Sequence, residues 1–107
     1  MSDMNHIGAI VKILETPKQK FINSNIVVVK VRAQLPSVRK SRIVKLVIWG
    51  KLALTVLDYY KVNDYILIEG YVSLRDNNNI LKVNNKPLKN VTISVLKIYS
   101  FILNRNQ

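Results

Sequence analysis

Short runs of β-branched residues, each closed by a turn-forming cluster, recur along this chain, and that pattern predicts strands. The first run spans Ile7 to Leu14, with Gly8 inside it and a turn at Glu15-Thr16-Pro17. A second follows Asn23-Ser24-Asn25 and runs from Ile26 to Ala33; Pro36 and a basic loop then lead to a third, Ile43 to Trp49. Gly50 breaks the strand pattern. From Lys51 to Lys61 the apolar positions Leu52, Ala53, Val56, Leu57 and Tyr60 recur near the helical period, predicting the only helix. After the Asn63-Asp64 turn a long fourth strand runs from Tyr65 to Arg75, and the polar tip Asp76 to Asn79 reverses the chain. Ile80 to Val83 returns briefly, and Val91 to Leu103 forms the last strand.

Three strands, one helix and two strands is the element order of a mainly all-β, five-stranded OB-fold barrel, with its helix between strands three and four. A ferredoxin-like domain requires a second helix, and so does a parallel α/β fold. Side chains alternate along each strand. Val44, Leu46 and Ile48 therefore point one way on the third strand, and Ile43, Lys45, Val47 and Trp49 the other. The second strand repeats this, with Val27, Val29 and Val31 inward and Val28, Lys30 and Arg32 outward. On the fourth strand Tyr71, Ser73 and Arg75 share the outer parity with Glu69.

A length of 107 residues suits one domain over residues 1–107, and 49% hydrophobic with 21% charged residues marks it as globular rather than disordered. Seventeen Lys plus Arg against six acids give a net charge of +11. On so small a domain this excess points to a polyanion partner, nucleic acid first, with plain solubility as the alternative. The absence of cysteine excludes disulfides, thiolate metal sites and thiol catalysis. No apolar run reaches the ~18 residues of a membrane span. Met1-Ser2-Asp3-Met4-Asn5-His6 offers neither a basic n-region nor an apolar h-region, so secretion is not expected. Heavy use of Ile, Lys and Asn suits an AT-rich genome, so the expected location is a plastid, with synthesis inside it, or a bacterial cytoplasm.

The stretch Val47-Ile48-Trp49-Gly50-Lys51-Leu52-Ala53 resembles the strand-to-helix junction of bacterial single-stranded-DNA-binding (SSB) proteins. Tyr65-Ile66-Leu67-Ile68-Glu69-Gly70-Tyr71-Val72 resembles the family's next strand, at matching spacing. The resemblance is strongest over residues 43 to 75; Gly8 and Phe21 to Asn25 extend it weakly. It implies an SSB-type OB-fold, a homodimer or homotetramer joined through first strands and sheet faces, and single-stranded DNA along the outer surface of these strands. RNA remains open as a ligand.

Departures from the family are informative. No aromatic occurs near Leu35 to Ser37, Ile43 stands where tryptophan is common, and Asn77 lies where the long hairpin carries another aromatic. The chain closes on Asn104-Arg105-Asn106-Gln107 without the family's acidic tip, so a tail that recruits replication proteins is not expected. The aromatic-poor, basic pattern looks like the short SSB-like frames of some plastid genomes and like primosomal replication proteins.

The candidate nucleic-acid-binding residues are accordingly Trp49 and Tyr71 for base stacking, and Lys30, Arg32, Lys45, Arg39, Lys40, Arg42 and Arg75 for phosphates. Each has a plainer role open to it. Trp49 at the core edge, Tyr71 in cross-strand packing and Arg39, Lys40 and Arg42 on a solvated loop are the alternatives. Gly50 and Gly70 are expected to serve backbone geometry. His6 is the sole histidine, and Asp3, Glu15, Asp58, Asp64, Glu69 and Asp76 are scattered, so no catalytic site, metal or cofactor is expected. The competing reading is an assembly module whose barrel docks on another protein.

Overall fold

The computed structural model describes residues 5–36, 42–76, 82–83, 86–87 and 89–99. Its strands are β1 (Asn5–Ile13), β2 (Lys18–Asn23), β3 (Ile26–Leu35), β4 (Arg42–Trp49), β5 (Tyr65–Asp76), β6 (Lys82–Val83), β7 (Lys86–Pro87) and β8 (Lys89–Tyr99), with one helix, α1 (Gly50–Tyr59), after β4. The main sheet runs β1-β5-β8-β4-β3-β2, and β6 and β7 form a separate small hairpin. β1 lies antiparallel to β5 from Asn5 to Lys12, then places Lys12 and Ile13 opposite Gln34 and Ala33 of β3. That switch closes β1, β5, β8, β4 and β3 into a ring, with β4 and β8 its one parallel pair. The barrel and the one helix among the described residues match the OB-fold expectation.

The predicted parity places the core. Val29, Val31 and Ala33 of β3, Val44, Leu46 and Ile48 of β4, Ile66 and Ile68 of β5, and Val11 and Ile13 of β1 are all buried in one cluster. Ala53 and Val56 of α1 join it, while Leu52, Leu57 and Tyr60 pack at its margin. The helix ends two residues before the predicted Lys61, because Tyr60 is already extended (φ −117°, ψ 143°). Asn63 follows at φ 76°, a conformation asparagine tolerates, and its N–H donates to the Ile13 carbonyl at 2.7 Å. This turn fastens the entry of β5 to the end of β1.

Two glycines carry backbone demands. Gly50 turns the chain from β4 into α1 at φ 65°, where another L-residue costs about 1–2 kcal/mol. Gly70 sits at a register shift: Glu69 pairs with Lys97, but Gly70 pairs with Val95, leaving Leu96 as the extra residue of a bulge. A Cβ on Gly70 would run into the Ser94 carbonyl oxygen and come within 3.1 Å of Ile93 Cγ2.

β2 departs from the five-strand expectation. Every one of its six residues is exposed, so it has no buried stripe to announce it. It forms because Asn23-Ser24-Asn25 reverses the chain, with the Asn25 N–H donating to Asn23 Oδ1 at 2.9 Å, and β3 offers a free edge for Lys18 to Phe21. The ends of the other elements agree with the sequence to within a few residues. Ser37 to Ser41, Asn77 to Leu81, Asn84, Asn85, Leu88 and Ser100 onward, including the predicted Ile80 and the end of the last strand, lie outside the described residues.

Candidate nucleic-acid interface

Register sorts the outer surface into rows. One row reads Lys18, Lys30, Val47, Ser94, Tyr71 and His6 across β2, β3, β4, β8, β5 and β1. The next reads Arg32, Lys45, Thr92 and Ser73, and on the other side lie Lys20, Val28 and Trp49. Lys30, Arg32, Lys45 and Trp49 thus share one face, as their parity predicted. Tyr71 shares it two strands across and two residues along from Trp49, about 12 Å at ordinary strand geometry.

The face is not uniformly wet. Val28 and Val47 have outer parity yet are only 1% and 8% exposed. Val28 lies between Lys20 and Trp49 in the register, and Val47 between Lys30 and Ser94. At cross-strand spacing the lysine stems and the indole lie within contact reach of these valines. Trp49 is 48% exposed and Ile43, farther along the same strand, 56%, so β4 offers an apolar platform at each end of Lys45. Tyr71 is half-buried, with its ring edge-to-face against His6 at 5.6 Å between centroids. His6 is an exposed packing partner of that ring.

Two pairs of like charges stand directly opposite each other: Lys18 against Lys30, and Arg32 against Lys45. Such pairs are destabilising unless something neutralises them. With Lys20 they line an open groove of ≈ 470 Å³ that also includes Glu15, Thr16 and Val31. Glu15 is its one acid. The carboxylate accepts the Arg32 backbone N–H at 2.9 Å and the Arg32 Nε–H at 3.3 Å. It sits where β3 changes partner from β1 to β2, standing in for a missing strand carbonyl. The Arg32 backbone bond holds its carboxyl below the ordinary value, partial desolvation opposes this, and the Arg32 guanidinium and Lys18 add to the lowering. Among the described residues Glu15–Arg32 is the one ion pair.

Arg42 does not join the face. It pairs with Leu35 and has the parity of Val44 and Leu46, so it projects from the barrel mouth, exposed. Arg75 is placed by its backbone on β5, opposite Asn90. Arg39 and Lys40 lie outside the described residues. Lys18, Lys20 and Glu15 are not among the sequence candidates, because no buried stripe marks Lys18–Asn23 as a strand. The available signal was the Lys18-x-Lys20 spacing, which puts both lysines on one side if the segment is a strand.

The opposite half of the barrel differs. Ile10, Leu67 and Tyr99 form one row on the outside of β1, β5 and β8, with Tyr65 opposite Lys12 beside them. Ile10, Tyr65, Tyr99 and the bulged Leu96 are exposed there. The Tyr99 hydroxyl donates to Glu69 Oε1 at 2.8 Å, which pushes that hydroxyl's pKa up. Among the described residues no group of three or more His, Asp or Glu side chains is placed to hold a metal, and no helix is long and apolar enough to cross a membrane.

Comparison with known proteins matches this architecture. The structure superposes on a small single-stranded DNA-binding protein of Streptomyces coelicolor with a TM-score of 0.79 at 14% identity, covering 94% of this chain and 97% of that one. For the SSB domain of a Synechococcus sp. protein the TM-score is 0.69 at 24% identity, over 94% and 99%. These likenesses establish the fold. No family model matches the sequence. The "Putative single-stranded DNA-binding protein ycf41" of Trieres chinensis is 39% identical over 109 residues, covering 97% of this chain and 95% of that protein. Its namesake in Porphyra purpurea is 26% identical over 98 residues, covering 92% and 87%. At 39% identity over almost the full length of both chains in the Trieres chinensis match, this OB-fold protein belongs to the ycf41 family.

Proposed function

We propose that this protein binds single-stranded DNA with little regard to sequence, along the outer face of β2, β3 and β4. The observation that carries the reading is the convergence of Lys18, Lys20, Lys30, Arg32 and Lys45 on one groove with a half-exposed Trp49 beside it. Cations follow the phosphate backbone and the indole stacks on a base, a combination that tolerates any sequence. The names of the ycf41 relatives and of the structural neighbours support DNA as the ligand. Binding is the whole activity in this reading. No step of chemistry, cofactor or metal is invoked.

Four of the cations, Lys18, Lys20, Lys30 and Lys45, have no acidic partner among the described residues. If each neutralises one phosphate, log K falls by roughly 0.7 per contact with log salt, or about 50-fold from 50 to 200 mM. Titrating Trp49 fluorescence with oligothymidine at both salts reads this directly, since Trp49 is the only tryptophan. Saturable quenching that salt reverses is expected. An affinity that stays level with salt, or no binding at either salt, refutes the reading and favours a protein-docking barrel.

The finer assignments follow the same proposal. The domain works as a single OB-fold over residues 1–107, in a plastid that makes it. It forms a homodimer or homotetramer, for which the exposed Ile10, Tyr65, Leu96 and Tyr99 opposite the cationic face are the supporting feature. Sedimentation velocity tests the assembly.

A further inference from the structure

We infer that the groove between β2, β3 and β4 is a discrete phosphodiester subsite, completed by Lys18 and Lys20, in which Glu15 is a resident anion that a bound phosphate displaces from Arg32. This deepens the single-strand-binding reading and rests on it for the natural ligand. Within the cationic face Lys18 and Lys20 hold the phosphate, and Glu15 competes with it for Arg32.

The geometry leads there in three steps. β2 exists only as an edge strand pairing with β3, and this pairing brings Lys18 opposite Lys30 and Lys20 opposite Val28. Beside them the β3–β4 register sets Arg32 opposite Lys45. Five cations on three adjacent strands repel one another, and an anion seated among them relieves that repulsion. Among the described residues the one carboxylate lining the groove is Glu15. It holds Arg32 through one backbone and one side-chain hydrogen bond, of which the side-chain bond, at 3.3 Å, is the longer. Both side chains are well exposed, 59% for Arg32 and 40% for Glu15, so the guanidinium is able to swing to a phosphate oxygen. The backbone N–H bond can remain when it does. A phosphodiester also satisfies a guanidinium bidentately, which the single Nε contact to Glu15 does not.

The consequence is that Glu15 lowers affinity for polyanions while fastening β3. The variant Glu15→Gln separates the two roles, because its amide oxygen still accepts the Arg32 N–H but the charge that holds the guanidinium is gone. One released cation adds one phosphate contact. The salt slope then steepens by about 0.7, and extrapolation from 1 M salt puts binding to oligothymidine about eightfold tighter at 50 mM and about threefold tighter at 200 mM. Lys18→Gln and Lys20→Gln each lose a contact and weaken binding by about the same factors.

The experiment is a cycle. Glu15→Gln is measured alone and on an Arg32→Gln background, by fluorescence anisotropy of labelled oligothymidine and by amide NMR titration with tripolyphosphate. The inference expects a gain from Glu15→Gln that largely vanishes on the Arg32→Gln background. It also expects tripolyphosphate to shift the amides of Lys18, Lys20, Lys30, Arg32 and Lys45 together. An equal gain on both backgrounds means that Glu15 acts by general repulsion, and overturns the displacement. An unchanged affinity and slope in Glu15→Gln overturns it as well. If wild-type protein ignores oligothymidine, the single-strand-binding reading fails, and tripolyphosphate alone decides the groove. Shifts there with tighter binding by Glu15→Gln sustain the subsite, and silent amides remove it.

Discussion

Replacing Trp49 by leucine tests whether the indole meets a base. Trp49 stands at the end of β4 with outer parity, 48% exposed, and is paired with Val28 of β3, itself 1% exposed. Two jobs are therefore folded into one side chain: shielding Val28 and presenting a flat face outward. Alanine would remove both and expose the valine. Leucine keeps an apolar cover over Val28 and deletes the aromatic face, so the change in binding reports stacking. Base–aromatic stacking is worth about 1–3 kcal/mol, which corresponds to a loss of roughly 5- to 150-fold in affinity. No charge is altered, so the slope of log K against log salt should stay that of wild type while the whole line drops. Trp49→Phe should recover most of the loss, because a benzyl ring still stacks. The assay is anisotropy of a labelled oligothymidine at several salts, with urea unfolding run in parallel to confirm that both variants are folded. If Trp49→Leu binds within twofold of wild type, the indole only covers Val28, and binding rests on the cations alone.

Two further outcomes check other parts of the structure. Gly70→Ala should destabilise by about 1–3 kcal/mol in urea unfolding, since its Cβ meets the Ser94 carbonyl at the bulge, whereas Gly8→Ala, whose nearest neighbours are 3.8 Å and 3.9 Å away, should be tolerated. Equal stability of the two variants would mean that the bulge yields without cost. Sedimentation velocity at tens of micromolar should show a homo-oligomer that loses mass when Tyr65 and Leu96 are both changed to glutamate; a strict wild-type monomer would remove the proposed assembly.

Much of this protein was readable along the chain because strand alternation and helix period are local properties. Val29 and Val31, Leu46 and Ile48, and Ala53 and Val56 occupy the core positions that their spacing assigned, and Gly50 breaks the chain where a left-handed residue is required. The common face of Lys30, Arg32, Lys45 and Trp49 follows from parity alone once two neighbouring strands are recognised.

Pairing and register decided the rest, and neither is a local property. β2 has no buried residue, so nothing in its own sequence distinguishes it from a loop; only the open edge of β3 makes it a strand and carries Lys18 and Lys20 into the groove. Parity also marked Val28 and Val47 as outward without revealing that both are buried. Arg42 lies close to Lys45 in sequence but takes the other parity at the barrel mouth. Glu15 acquires its role because β1 leaves the edge of β3 before β2 arrives, leaving the Arg32 N–H for a carboxylate to accept. The sequence supplied the charges and the aromatic ring; which of them face one another was settled by how distant strands pair, since closing the barrel fixes every register at once.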